Sequence, residues 1–325
     1  MHATLREIRK TPEGILKAQK SVEKFISEYN IPRRAVFTGC GSSYHLAKAL
    51  AMITNLLDGF AIEVPASELL YNKKAYPLIN PEILIAISRS GETTEVLMAA
   101  EKSSIPVIGV TAYKSTLSKI SARPLIIPVK EKSVVMTHSF TSFLFAFEQI
   151  IRKSHDREVA DVRHIHDALK KLLKDEAFFK EVVERFDFQN IFFLGSGLLY
   201  PIALEGMLKM KEMALLWSEA HQTFEVRHGF KSVIDSRTLV VMLVEKCHEW
   251  YRRLIKELRN QGAKIIVIGT CDKLGADYVF QLPELGYLDL LPLYLPPIQL
   301  LSYYKAISCG LDPDKPRFLD KIVRW

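Results

Sequence analysis

Cysteine is scarce in this sequence. The four that occur, Cys40, Cys247, Cys271 and Cys309 among 325 residues, show no metal-ligand spacing and are too few for a disulfide scaffold. The simplest expectation is reduced thiols in a cytoplasmic protein, with no metal and no cofactor. Long apolar runs are also missing. "TLVVMLV" at 238–244 is far below the ~20 residues that a bilayer demands, and the opening "HATLREIRKTPEG" lacks the apolar core of a signal peptide, so no membrane role is expected. Blocks of one charge sign are absent. The 44 basic and 37 acidic residues are interspersed, and no basic stripe carries interleaved aromatics, which argues against a nucleic-acid partner. A net charge of +7 suits the steering of a small anion. Neither a G-x-x-x-x-G-K-[ST] loop nor a full dinucleotide fingerprint is present, since "GCGSSY" stops short of the third glycine.

What the sequence does contain is alternation. Short β-rich runs at 35–39, 83–88, 107–111, 125–129, 191–195, 239–244, 265–270 and 278–282 are separated by longer helical patterns, the mark of βαβ units around parallel sheets. Several runs are apolar on both faces, as buried parallel strands should be. They form two sets. "VFTGCGSSYHLAKAL" lies over "FFLGSGLLYPIALEG" at an offset of 156, pairing Gly39 with Gly195, Gly41 with Gly197 and Tyr44 with Tyr200. The same offset carries Ser88 onto Val244, and "VIGVT" answers "VIGTC" at 160. An internal duplication follows: a helical arm at 1–30, a first α/β lobe at 31–150, a helical linker at 151–185 and a second lobe at 186–325.

Where the second strand of lobe one ends, "SRSGETTE" presents Ser88, Arg89, Ser90 and Thr93 around Gly91. Ligands of open parallel sheets bind beyond the carboxyl ends of strands, and a helix N-terminus there favours an anion. "GCGSSYH" offers the same chemistry through Gly41, Ser42 and Ser43. Serine and threonine also start helices merely as caps. Two such turns in one lobe favour a phosphate cradle. The second lobe has lost it: "GLLYP" replaces "GSSYH" and "VEKCH" replaces "SRSGE".

Lobe two supplies a different pattern. In "PIALEGMLKMKEMALL" the residues Glu205, Lys209 and Glu212 fall at i, i+4 and i+7 on one face of an otherwise apolar helix. Burial of two acids with one base is expected to raise a carboxyl pKa toward that of a general base. "FEVRHGF" adds His228, a loop imidazole suited to proton transfer near neutrality. The apolar stretch 285–304 is expected as a buried or inter-subunit face.

Taken in order, "GCGSSYH", "SRSGETTE", "YPIALEGMLKMKE", "EVRHG" and "DPDKPRFLDKIV" resemble the sugar isomerase (SIS) family, above all the isomerase half of glucosamine-6-phosphate synthases. The resemblance implies two duplicated three-layer α/β/α lobes, each around a mainly parallel sheet, usually in a homodimer. It implies a phosphosugar partner held by Ser43, Ser88, Ser90 and Thr93. It implies Glu212 as the base between C1 and C2, His228 as the ring-opening group reaching in from the partner subunit, and Lys321 as the lysine able to form an imine with the ketose. Glu205 and Lys209 would shape the site. With no glutamine-hydrolysing domain ahead of the lobes, the expected activity is glucosamine-6-phosphate deamination, as in stand-alone SIS proteins. Another phosphosugar isomerase, a fructosamine-6-phosphate deglycase or a non-catalytic sensor are the alternatives. Arg89 stands where the synthases carry Gln, either adding a cation to the phosphate site or turning outward. Met136 replaces a hydroxyl residue in "SVVMTHSF", and Phe318 and Asp320 alter the tail around Lys321.

Overall fold

The computed structural model describes residues 1–77 and 80–323. Helices α1 (Ala3–Arg9) and α2 (Thr11–Glu28) open the chain. Then come β1 (Arg34–Gly39), α3 (Ser42–Leu56), β2 (Phe60–Pro65), α4 (Ala66–Tyr71), β3 (Ile83–Ile87), α5 (Thr94–Glu101), β4 (Val107–Thr111), α6 (Thr116–Ile120), β5 (Arg123–Ile126) and α7 (His138–Ser154). Helices α8 (Val162–Leu172) and α9 (Ala177–Arg185) lead to β6 (Asn190–Leu194), α10 (Leu199–Ala214), β7 (Ser218–His221), β8 (Thr238–Val244), α11 (Glu249–Asn260), β9 (Lys264–Gly269), β10 (Tyr278–Gln281) and α12 (Tyr287–Ser308).

Each sheet has five parallel strands, in the order β2-β1-β3-β4-β5 in the first lobe and β10-β9-β8-β6-β7 in the second. Read from the other edge, the second order repeats the first strand for strand. The duplication therefore holds in topology, and it extends to atomic detail. A Cβ on Gly39 would lie 2.6 Å from the main-chain carbon of Ser43, and one on Gly195 would lie 2.6 Å from that of Leu199. Both glycines let the helix after the first strand of each lobe start hard against the strand end. The turn glycines Gly41 and Gly197 share positive φ, 54° and 56°.

Two compact units divide the chain: Arg9–His166 with the tail from Phe318, and Met1–Ile8 with Asp167–Arg317. The boundaries differ from those expected. Helix α2 belongs to the first lobe, packed so closely on α7 that a Cβ on Gly14 would sit 2.5 Å from Ser142 Oγ. The second half of the 151–185 stretch is core rather than linker, since Phe179 is fully buried in the second lobe with its ring 4.7 Å from that of Phe280. The tail divides. Asp314 accepts from Ala3 N (2.6 Å) and Thr4 N (2.8 Å), capping α1 in the second lobe. Beyond it, Val323 O accepts from Thr94 N at the start of α5 in the first.

The run expected at 285–304 is α12, buried on all sides within its own lobe against α10 and α9 despite Pro292, Pro296 and Pro297. No helix among the described residues is long and apolar enough to cross a membrane.

The thiol expectation is corrected. Cys247 and Cys271 form a disulfide, their Cα atoms 5.3 Å apart, while Cys40 and Cys309 are free. The two half-cystines follow β8 and β9, adjacent parallel strands whose outgoing loops run side by side. The bridge closes a loop of sequence separation 24, and chain entropy makes that about 3 kcal/mol of stabilisation. Cys247→Ser with Cys271→Ser is expected to lower the second lobe's thermal midpoint by roughly 10 °C, measured by calorimetry with and without reductant. Reductant should do nothing further to the double variant.

Candidate functional site

In both lobes the strand order reverses direction beside the first strand of the set, between β1 and β3 and between β6 and β8. Such a switch point leaves a crevice at the strands' carboxyl ends where ligands bind. In the first lobe the two loops there are the two hydroxyl-rich turns. Ser88 Oγ lies 3.1 Å from Thr93 Oγ1 and 3.4 Å from Ser90 Oγ, so three hydroxyls converge ahead of α5. Thr93 is the residue preceding that helix, yet its side chain makes no capping hydrogen bond. Capping alone therefore does not account for the cluster. At the other turn Ser42 and Ser43 are buried in the first turn of α3, behind Gly41 and again without a side-chain cap. Hydroxyls and helix N-termini together make the donor set that a phosphate dianion needs.

Gly91 is what allows the turn. Its φ is +68°, and a Cβ there would lie 2.5 Å from Ser115 Cβ. Ser115 cannot retreat easily, because it forms a reciprocal capping box with Ser118 at the start of α6. Gly91→Ala is expected to cost about 1–3 kcal/mol of strain and to weaken inorganic phosphate binding more than about tenfold, read by titration calorimetry. At Cys40, between the two glycines of "GCG", burial and then the nearby Glu95 carboxylate push the thiol up to about 12, which disfavours the thiolate.

Arg89 is the residue whose placement departs from both readings of the sequence. It points neither at the hydroxyl cluster nor outward. Its guanidinium, 8% exposed, donates to Glu131 Oε2 (2.7 Å) and to Val134 O (2.7 Å). Glu131 was missed by sequence reasoning, since in "VKEKSVV" it reads as a surface charge. Burial opposes its ionisation, but Arg89, His138 and the Ser139 hydrogen bonds outweigh that and hold the carboxyl down at about 2. Lys321 stands in this lobe as well, its Nζ donating to the main-chain oxygen of Glu131.

The second lobe presents the charged stripe on α10. Glu205 and Lys209 are fully buried, with Lys209 Nζ 3.2 Å from Glu205 Oε1 and donating also to Glu212 Oε2. Glu212 is the member that keeps some contact with solvent, its side chain 18% exposed. Burial presses Lys209 toward the neutral amine, but Glu205 and then Glu212 outweigh it and raise its pKa above the ordinary value. One ammonium thus faces two carboxylates. His228 is exposed at the end of a short turn, Glu225–Arg227, where its N–H donates to Glu225 O (2.9 Å).

This lobe's own switch point is closed. Tyr287 OH accepts from Leu198 N (3.1 Å), Tyr251 hydrogen-bonds Ser196, and Tyr294 OH donates to Val244 O (2.8 Å). Phenols thus cover an amide, a hydroxyl and a carbonyl at this switch point.

A family model for the SIS domain matches residues 29–153 and 186–275, both lobes. The chain belongs to the SIS domain family. Its SIS relatives include the isomerizing glutamine–fructose-6-phosphate aminotransferases of Methanothermobacter thermautotrophicus, 29% identical over 343 residues, and of Sulfolobus acidocaldarius, 29% over 345. Each match takes in 99% of this chain but only 57% and 55% of the relative, so the chain spans a little over half the length of these curated proteins. Among solved SIS structures, a glucosamine-6-phosphate deaminase from Thermotoga maritima superposes with a TM-score of 0.84 at 31% identity, covering 99% of both chains. The tagatose-6-phosphate ketose/aldose isomerase of Escherichia coli shares the fold, with a TM-score of 0.85 at 22% identity.

Within this SIS chain the expected site residues fall into groups. Ser88, Ser90 and Thr93 form one cluster, and Gly41, Ser42 and Ser43 the facing turn of the same switch point. Glu205, Lys209 and Glu212 form one contiguous stripe. Lys321 joins the first lobe through Glu131, and Arg89 is taken up by Glu131's carboxylate.

Proposed function

We propose that this chain is a glucosamine-6-phosphate deaminase acting as a homodimer. In this reading Ser42, Ser43, Ser88, Ser90 and Thr93 hold the phosphate. His228, contributed across the dimer interface, opens the pyranose ring. Glu212 then takes the proton from C2 of the open-chain aldose and returns it at C1. As O1 gains a proton and the amine gives one up, the C2–N bond becomes an imine, water adds to that carbon, and ammonia leaves as fructose 6-phosphate forms. Lys321 is the amine poised to capture the ketose carbonyl, while Glu205 and Lys209 fix the charge around Glu212.

One observation carries the reading: the 31% identity to a deaminase structure over 99% of both chains. The buried stripe supports it, because proton shuttling at carbon needs a carboxylate held in a defined charge state. The aminotransferase relatives support the same substrate class. An assay for ammonia from glucosamine 6-phosphate, with no glutamine added and fructose 6-phosphate measured alongside, tests it. Equal release of both products is expected. Interconversion of a ketose and an aldose phosphate with no ammonia would replace it with the isomerase reading.

A further inference from the structure

Glu131 makes an unusual number of hydrogen bonds for a residue that no solvent reaches. Its Oε1 accepts from Thr137 N (2.8 Å), Thr137 Oγ1 (2.9 Å) and Ser139 N (3.0 Å), and His138 Nδ1 stands 3.4 Å away. Its Oε2 accepts from Ser139 Oγ (2.6 Å) and Arg89 Nη1 (2.7 Å). Its main-chain oxygen accepts from Tyr113 OH (3.3 Å) and from Lys321 Nζ. A carboxylate offers about four lone-pair sites, so five donors saturate it. No capacity is left for a substrate.

We infer that Glu131 is a positioning residue that fixes Lys321 of the C-terminal tail relative to the Ser88–Thr93 turn. The connections are short and all lie in the first lobe. Arg89 sits within the hydroxyl-rich turn, and through Glu131 and Val134 O it ties that turn to the 131–139 loop. Lys321 is tied to the same loop at Glu131 O, and two residues later Val323 O accepts from Thr94 N, the first amide of α5. The tail is thus anchored at both ends of one short arc, on the loop by its lysine and on the cradle helix by its backbone.

The hydroxyl turn does not depend on Glu131 for its own shape. Arg89 O accepts from Ala112 N (3.0 Å) and Thr111 Oγ1 (3.1 Å), which pins the turn to the end of β4 independently. Removing the Glu131 carboxylate should therefore displace the 131–139 loop and the tail lysine while leaving phosphate affinity largely intact. A catalytic group misplaced by about 1 Å loses on the order of 10²-fold in rate. That part of the expectation rests on the deaminase reading. The position of Lys321 does not.

The test is amine acetylation of the full chain with sulfo-NHS-acetate, read residue by residue by mass spectrometry, in wild type and in Glu131→Gln. Lys246, whose side chain is 85% exposed, serves as internal reference. The amide keeps the shape but turns donors toward donors. Lys321 labelling is expected to rise severalfold against Lys246, with inorganic phosphate affinity within about threefold of wild type and turnover falling through kcat rather than KM. Arg89→Gln supplies a second route to the same displacement if Glu131→Gln does not fold. Unchanged Lys321 labelling in either folded variant overturns the inference, whatever the activity. Absent ammonia release in wild type overturns only the deaminase reading, and a labelling rise then still upholds the positioning role.

Discussion

Glu212→Gln is expected to lower turnover of glucosamine 6-phosphate by about 10²–10⁴-fold while leaving its binding within a few-fold of wild type. The amide is nearly isosteric, and its carbonyl still accepts from Lys209, so the stripe keeps its geometry. What it lacks is basicity. Lys209 retains Glu205 as counter-charge, 3.2 Å away, so the buried ammonium is not stranded and the fold should persist. In the proposed reading affinity comes from the hydroxyl-rich turns of the first lobe, on other elements altogether. Paired measurements decide the matter: ammonia release for the rate, and titration calorimetry with the sugar phosphate for binding. A variant that keeps wild-type turnover removes Glu212 from the chemistry. One that loses binding and rate together shows that the carboxylate holds substrate rather than moving a proton.

The parts of this molecule that were legible in its sequence share a physical property: they are buried and local. Six of the eight strands read from the sequence are central, and they announced themselves because both faces of a central parallel strand are covered, as in "ILIAI" and "TLVVMLV", each buried at every position. Two strands did not, β2 and β7, which occupy equivalent sheet edges and are only partly buried, every second residue in β7 and Ala61 and Val64 alone in β2. An edge strand that is only partly covered need not display an apolar run, although the edge strands β5 and β10 do. Near the other edge, β5 begins two residues earlier than its apolar run, at Arg123, and includes Pro124, which only an edge position tolerates. The stripe on α10 was readable because helical spacing alone puts Glu205, Lys209 and Glu212 on one face. Long-range pairings were not. Cys247 and Cys271 become neighbours only once β8 and β9 are known to lie side by side. Glu131 looks exposed in its local sequence and is sealed by partners up to 190 positions away. Arg89, for the same reason, reads in the sequence as a phosphate cation or an outward charge, whereas its partner is an acid in a different loop.

Lys209→Met carries the second large effect, on stability instead of rate. Methionine approximates the aliphatic stem but removes the ammonium that pairs with both Glu205, fully buried, and Glu212. Breaking a buried ion pair from one side leaves a stranded charge and costs about 3–5 kcal/mol, on the order of 10 °C in the midpoint of a lobe of this size. The deficit should depend on pH with a definite sign. Without the ammonium, two neighbouring carboxylates in a desolvated stripe repel each other whenever both are ionised. Acid removes that charge, so the penalty is present at neutral and alkaline pH and is relieved as the medium is acidified. The gap between variant and wild type should therefore be widest at neutral to alkaline pH and close as the medium is made acidic. Urea denaturation of both proteins at pH 5 and pH 8 measures it. A variant that melts with wild type at pH 8 would mean that Glu205 and Glu212 are not relying on Lys209 as their counter-ion, and that the stripe is a solvated helix face rather than a buried site.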